Sequence, residues 1–240
     1  MWTHLRVPIA IVAGACAASS VPQAQTRTPA AQQLSRAADA VDALKSTRFA
    51  LTREGAPAFL DEKNGITFTA ADCAYAAPAR VSCDIKVSLK NGTIIQLTRV
   101  WVPEGTFQSN PLTRQFAKLP EDANFNGAVL FGKNGIADVM RTGVQHAQSV
   151  GSESIRNQAT LHIKGDVRGD TLNRLIAAGL KPDQAYPVDL WVEERSGNPV
   201  QLRVSEAAGV GWLIALSGIN EPVTIPTPQV PPPATSRPPA

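Results

Sequence analysis

Across residues 81–90 apolar and polar side chains alternate without a break. Val81, Cys83, Ile85, Val87 and Leu89 fall on one side, and Ser82, Asp84, Lys86, Ser88 and Lys90 on the other. Successive side chains of a strand point to opposite faces, so the segment reads as a strand with one face in a core and one in water. Asn91-Gly92 follows at once, a dipeptide suited to a tight hairpin turn, and residues 93–102 read as the returning strand. A chain built on this unit forms an antiparallel sheet with one apolar face, and something else must cover that face.

The remaining pattern extends the sheet. Ile66, Phe68 and Ala70 alternate ahead of the hairpin, and short strands are expected near residues 105–108 and 113–118. Later strands are expected over 152–155, 159–165, 188–194, 200–205 and 212–217. Helices are fewer. Residues 30–46 place Leu34, Ala37, Ala38, Val41 and Leu44 on one face, with Pro29 suited to the first turn. Further helices are expected over 125–131, 136–147 and 170–178, the last carrying Leu172, Leu175 and Ile176 and capped by Gly179. Strands joined mainly by hairpins, with a few helices, define an antiparallel α+β fold. No linker interrupts residues 34–225, which read as one domain.

The two ends read differently. Residues 1–15 carry one charged side chain, Arg6, then a short apolar run and Ala13-Gly14-Ala15-Cys16. The pattern reads as an export signal, with cleavage expected between Ala15 and Cys16. The same four residues read as a lipobox that would leave Cys16 acylated and membrane-anchored, although Ala13 stands where Leu or Val is usual. The alternative is a secreted protein with a free thiol. Residues 16–33, rich in Ala, Ser, Gln, Thr and Pro, suit a flexible tether, and residues 226–240, with seven prolines, suit a disordered or polyproline tail. Cys73 and Cys83 flank Ala76-Ala77-Pro78-Ala79, a plausible reversal. In an exported hairpin they would face each other and form a disulfide, or else remain two buried thiols.

Little in the sequence points to catalysis. The formal charge of +3 is spread without a basic stripe, which argues against nucleic acid, and no apolar run reaches the length of a membrane helix. Nucleophile elbows, phosphate loops and metal-ligand spacings are missing, so neither catalytic residue, metal nor cofactor is expected. His162 falls on the polar face of its strand and is expected in solvent; His146 is expected near a helix end. Glu193 and Glu194 would point to opposite faces. Aromatic residues make up only 5%, which favours an aliphatic interior.

Several short stretches carry a resemblance. Gly151-Ser152-Glu153-Ser154-Ile155, Leu161-His162-Ile163-Lys164-Gly165 and Val188-Asp189-Leu190-Trp191-Val192 occur in this order. Asn198-Pro199-Val200 and the run from Leu216-Ser217-Gly218-Ile219 to Pro226 follow, with Lys90-Asn91-Gly92-Thr93 and Leu119-Pro120 as looser matches. Over residues 34–226 the chain resembles the LppX/LprG family of mycobacterial-type lipoproteins. The resemblance implies an antiparallel half-barrel wrapped around helices, similar to the carrier LolA, with a cavity for the acyl chains of a lipid or glycolipid. It also implies anchoring on the outer face of the cytoplasmic membrane through Cys16, and a membrane lipid exporter as a further partner. Cys73, Cys83 and the proline-rich tail depart from the family pattern.

Candidate cavity residues are the inward members of the strands: Ile66, Phe68, Val87, Leu89, Leu161, Ile163, Leu190, Val192 and Leu202. Leu172, Leu175 and Ile176 would face them from a helix. A plain packed core would use the same residues. A second reading keeps the fold but makes it a protein-binding lipoprotein, a chaperone or envelope-stress sensor.

Overall fold

A computed structural model describes residues 29–120, 127–176 and 179–231. The expected export signal, Cys16 and most of the tether lie outside the described residues, as does the tail from residue 232.

Helix α1 (Ala30–Asp42) starts directly after Pro29, whose carbonyl accepts the Gln32 and Gln33 amides. Its buried stripe is Leu34, Ala37, Ala38 and Val41, as the spacing requires. The helix ends at Asp42 rather than running to residue 46. Ser46 already belongs to strand β1 (Ser46–Glu54), a strand that periodicity had not picked out. Here tertiary pairing overrides local preference: β1 is hydrogen-bonded on both sides, to the third strand and to the last.

The first half of the sheet continues with β2 (Ala58–Asp61), β3 (Ile66–Ala76), β4 (Arg80–Ser88) and β5 (Ile94–Val102). β6 (Gly105–Ser109) and β7 (Phe116–Lys118) complete it. The second half comprises β8 (Gln145–Ile155), β9 (Gln158–Arg168), β10 (Ala185–Glu193), β11 (Pro199–Ala207) and β12 (Val210–Ser217). The order is β7-β6-β5-β4-β3-β1-β12-β11-β10-β9-β8, antiparallel throughout, and β2 takes up the edge of β3 that β1 leaves free. Among the described residues the twelve strands thus form two wings that meet where β1 pairs with β12.

Between the wings in sequence lie a 3₁₀ turn (Gly127–Phe131) and α2 (Ile136–Asp138), which widens into a single π turn (Val139–Gly143). The expected helix over 136–147 is therefore cut short. Residues 145–147 instead begin β8, because β9 offers them a pairing edge as far as Asp166. His146 is a strand residue at a bulge, with φ of 51° and its Nδ1 3.2 Å from Asp166 Oδ2, and not a helix-end residue. A bulge between Phe68 and Ala70 likewise turns Ala71, rather than Ala70, to the interior. Helix α3 (Gly169–Ile176) follows β9 and buries Leu172 and Leu175.

Cys73 and Cys83 stand opposite each other on β3 and β4 and form the expected disulfide. After β12 the chain folds back across the outer face of the first wing. There Ile225 joins Val100, Val102 and Phe107 in a small second apolar cluster, and the Arg80 guanidinium donates to the Ile225 carbonyl at 3.1 Å. Among the described residues, no helix is long and apolar enough to cross a membrane.

Candidate functional site

Both wings turn an apolar face inward, and they cover it unequally. In the second wing Ile163, Val188, Leu190 and Leu202 meet Leu34 of α1, Met140, and Leu172 and Leu175 of α3. The void left among them is about 30 Å³, room for about one water. In the first wing the interior is a cavity of about 530 Å³. That lies within the roughly 300–1,000 Å³ of small-molecule sites.

The cavity is walled by Phe49 and Leu51 of β1, Phe68 and Ala71 of β3, Ile85 and Val87 of β4, and Leu97 and Trp101 of β5. Trp212, Ile214 and Leu216 of β12 form the side next to the second wing. Its roof is thin: Leu130 and Phe131 of the 3₁₀ turn, Ile136, and the end of α3 at Leu175 and Ile176. Phe131 stacks on Tyr75 at 4.2 Å and meets Phe49 edge-on at 5.6 Å, fixing one boundary. The Cys73–Cys83 bridge lies in the wall itself.

Two polar features border this apolar space. Arg53 lies over the Trp212 ring, 4.9 Å from its centroid, and pairs with Glu206, which also accepts the Trp212 indole N–H at 2.7 Å. Burial pushes the Glu206 carboxyl up, but the Arg53 hydrogen bond and charge, with the indole, outweigh it and hold it below its ordinary value. Arg99, on the cavity wall, donates its Nε–H to Gln108 Oε1 at 3.1 Å. Burial lowers its pKa from the ordinary guanidinium value, and among the described residues no carboxylate pairs with it.

The sequence-derived candidates divide between the two wings. Phe68, Val87, Leu175 and Ile176 line the large cavity. Ile163, Leu172, Leu190 and Leu202, with Leu175 again, surround the small void of the second wing. Val192 is buried in the main apolar cluster and Leu161 packs partly buried against it, while Ile66 and Leu89 are partly exposed; none of these four lines either space. Phe49 and Leu51 lie outside the strands expected from the sequence, since β1 is not among them. Their alternation within Thr47-Arg48-Phe49-Ala50-Leu51 was the available signal. Trp212, Ile214 and Leu216 lie in an expected strand but not among the expected cavity residues.

His162 corrects an expectation. Rather than facing solvent, it is only 6% exposed on the outer face of the second wing. Its Nδ1 is 2.6 Å from Glu153 Oε1, its Nε2 is 2.7 Å from Asp189 Oδ1, and its ring stacks on Trp191. Trp191 Nε1 donates to Glu153 Oε2 at 3.0 Å, and Lys164 Nζ lies 3.6 Å from Asp189. The indole and imidazole hydrogen bonds hold the Glu153 carboxyl below its ordinary value. Three strands are clamped through one imidazole.

An open antiparallel sheet curled over short helices, with an unfilled apolar chamber in one half, defines the structural class. The chain belongs to the LppX_LprAFG lipoprotein family, whose model matches residues 29–225. Two crystal structures share the fold: LprF from Mycobacterium bovis and LppX from Mycobacterium tuberculosis. LprF has a TM-score of 0.67 at 18% identity, over 84% of this chain and 99% of that one. LppX has a TM-score of 0.58 at 18% identity, over 82% and 98%. The lipoarabinomannan carrier protein LprG of Mycobacterium leprae (strain TN) is 31% identical over 98 residues, a stretch covering 40% of this chain and 40% of that protein.

Proposed function

We propose that this protein is an extracytoplasmic lipoprotein that takes the acyl chains of a lipid or glycolipid into the first-wing cavity and carries them between membrane and cell envelope. The observation that carries the reading is the 530 Å³ apolar chamber that the side chains of the described residues leave unfilled. Each methylene exposed to water costs about 0.8 kcal/mol, so a chain of about 15 methylenes costs on the order of 12 kcal/mol. A two-chain lipid therefore has no useful free concentration, and transfer needs a shelter of comparable apolarity. Binding, shielding and release suffice, without a covalent step.

In this reading Phe68, Val87, Leu175 and Ile176, with Phe49, Leu97 and Trp212, contact the chains. Cys16, freed by removal of residues 1–15, bears the acyl anchor, and residues 17–33 tether the sheet to the outer face of the cytoplasmic membrane. The lipoprotein family and the carrier name of the LprG relative support this assignment. Native mass spectrometry of the full chain after mild extraction tests it: a bound lipid mass is expected, and a consistently empty protein would refute carriage. The mass of the mature N-terminal peptide tests acylation of Cys16.

A further inference from the structure

Four of the six large apolar side chains exposed among the described residues gather at one end of the first wing: Phe59, Leu60, Ile94 and Leu112. Strand directions place them together. The start of β3, the end of β4, the start of β5 and the end of β6 share this end, with the three connections between residues 62–65, 89–93 and 110–115. A Cβ added to Gly65 would sit 2.9 Å from Lys90 Cβ, so the first two connections touch. Arg114 donates to the Gln96 carbonyl at 3.4 Å, which brings the third against β5.

This end is the mouth of the cavity. Phe59 and Leu60 line the chamber and are still 56% and 57% exposed, so they stand at its opening. Ile94 and Leu112, 62% and 89% exposed, flank it without lining it. Leu112 projects from a closed loop: Asn110 Oδ1 accepts the amides of Leu112 and Thr113 at 2.8 and 3.0 Å. Lys63, Lys90 and Arg114 are exposed on the same three connections. Of the nearby acids, Asp61 is engaged with the Asn64 amide and side chain, and Glu62 is exposed.

We infer that this rim docks on a lipid bilayer, with Ile94 and Leu112 entering the interface and Lys63, Lys90 and Arg114 meeting anionic headgroups. Separate apolar tips interleaved with cations suit a headgroup layer, where apolar insertion and charge attraction act together. A protein partner would instead present one contiguous apolar patch with a polar rim. Docking by the mouth lets an acyl chain pass from bilayer to chamber without crossing water. The inference deepens the carrier reading and rests on it for that purpose, but its test does not depend on a bound ligand.

The test is co-sedimentation of the full chain bearing Cys16→Ala, which removes the acyl anchor, with vesicles of phosphatidylcholine containing a minority of phosphatidylglycerol. Ile94→Asp/Leu112→Asp is expected to lower the bound fraction at least about tenfold, and Ile94→Ser/Leu112→Ser to lower it in the same direction without charge repulsion. Asn157→Asp/Gln158→Asp, at the opposite end of the sheet, is expected to leave it unchanged. Equal sedimentation of the parent and the Ser variant, or equal loss in the opposite-end variant, would overturn the inference. Lipid occupancy, measured on the same samples by native mass spectrometry, separates the two ideas. Occupied protein whose vesicle binding ignores the rim refutes docking alone, whereas empty protein that still binds through the rim refutes carriage alone.

Discussion

The two wings are made from similar strands and end in opposite states. Val87 in β4 and Leu190 in β10 occupy equivalent inward positions on alternating strands, yet one faces an open chamber and the other a packed core. The difference lies in the cover. The second wing receives α1, the α2 turn and α3, whose Leu34, Met140, Leu172 and Leu175 interdigitate with the sheet. Arg141 also ties α1 to the α2 turn through Asp39 and Asp42. Among the described residues the first wing receives a five-residue 3₁₀ turn and the tips of two helices.

The outer faces differ in kind: one is held by apolar contacts and the other by polar ones. The open wing is strapped on its outside by Ile225 over Val100, Val102 and Phe107, while the filled wing carries the Glu153–His162–Asp189 clamp outside. On the open wing the apolar strap adds dispersion contacts at the back of a sheet whose front forfeits them to unfilled space.

The contrast can be broken most directly by matched truncations. Leu172→Ala, in the filled wing, is expected to cost about 2–5 kcal/mol, whereas Leu97→Ala, on the chamber wall, costs under about 1.5 kcal/mol because it enlarges a space already present. Denaturant unfolding measures both, and equal losses would mean that the chamber is closed in solution. Filling is the converse experiment. Ala71→Phe, pointing into the chamber, should lower bound lipid about tenfold while leaving the unfolding midpoint nearly unchanged, and Val188→Phe in the filled wing should cost about 1–3 kcal/mol from overpacking. Native mass spectrometry and melting curves read the two together.

The smallest effect concerns Glu206, between the wings. Its carboxyl is held below the ordinary value of 4.5, so it stabilises the fold above that pH and loses this contribution as pH falls through its lowered value. The melting-temperature gap between the parent and Glu206→Gln is expected to be widest at neutral pH and to shrink below about pH 4.5. A gap independent of pH would detach Glu206 from the Arg53 charge.

Much of the architecture is legible in the sequence alone. The β4–β5 hairpin, the facing of Cys73 and Cys83, the buried stripe of α1 and the final three strands all follow from periods of two or 3.6 and from turn chemistry. Elements whose state depends on a distant partner were not readable. β1 is a strand because β3 and β12 both bond it, and residues 145–147 leave their expected helix because β9 offers an edge. His162 looked solvent-facing because its carboxylate partners are on neighbouring strands, 9 and 27 residues away.

By itself, the order of residues determined that this chain makes an antiparallel sheet with one greasy side, since side-chain alternation is a local property of each strand. Which half of that side stays empty was decided only in three dimensions. A cavity is the volume that the covering helices fail to reach, and that depends on where the crossing between wings sets them down.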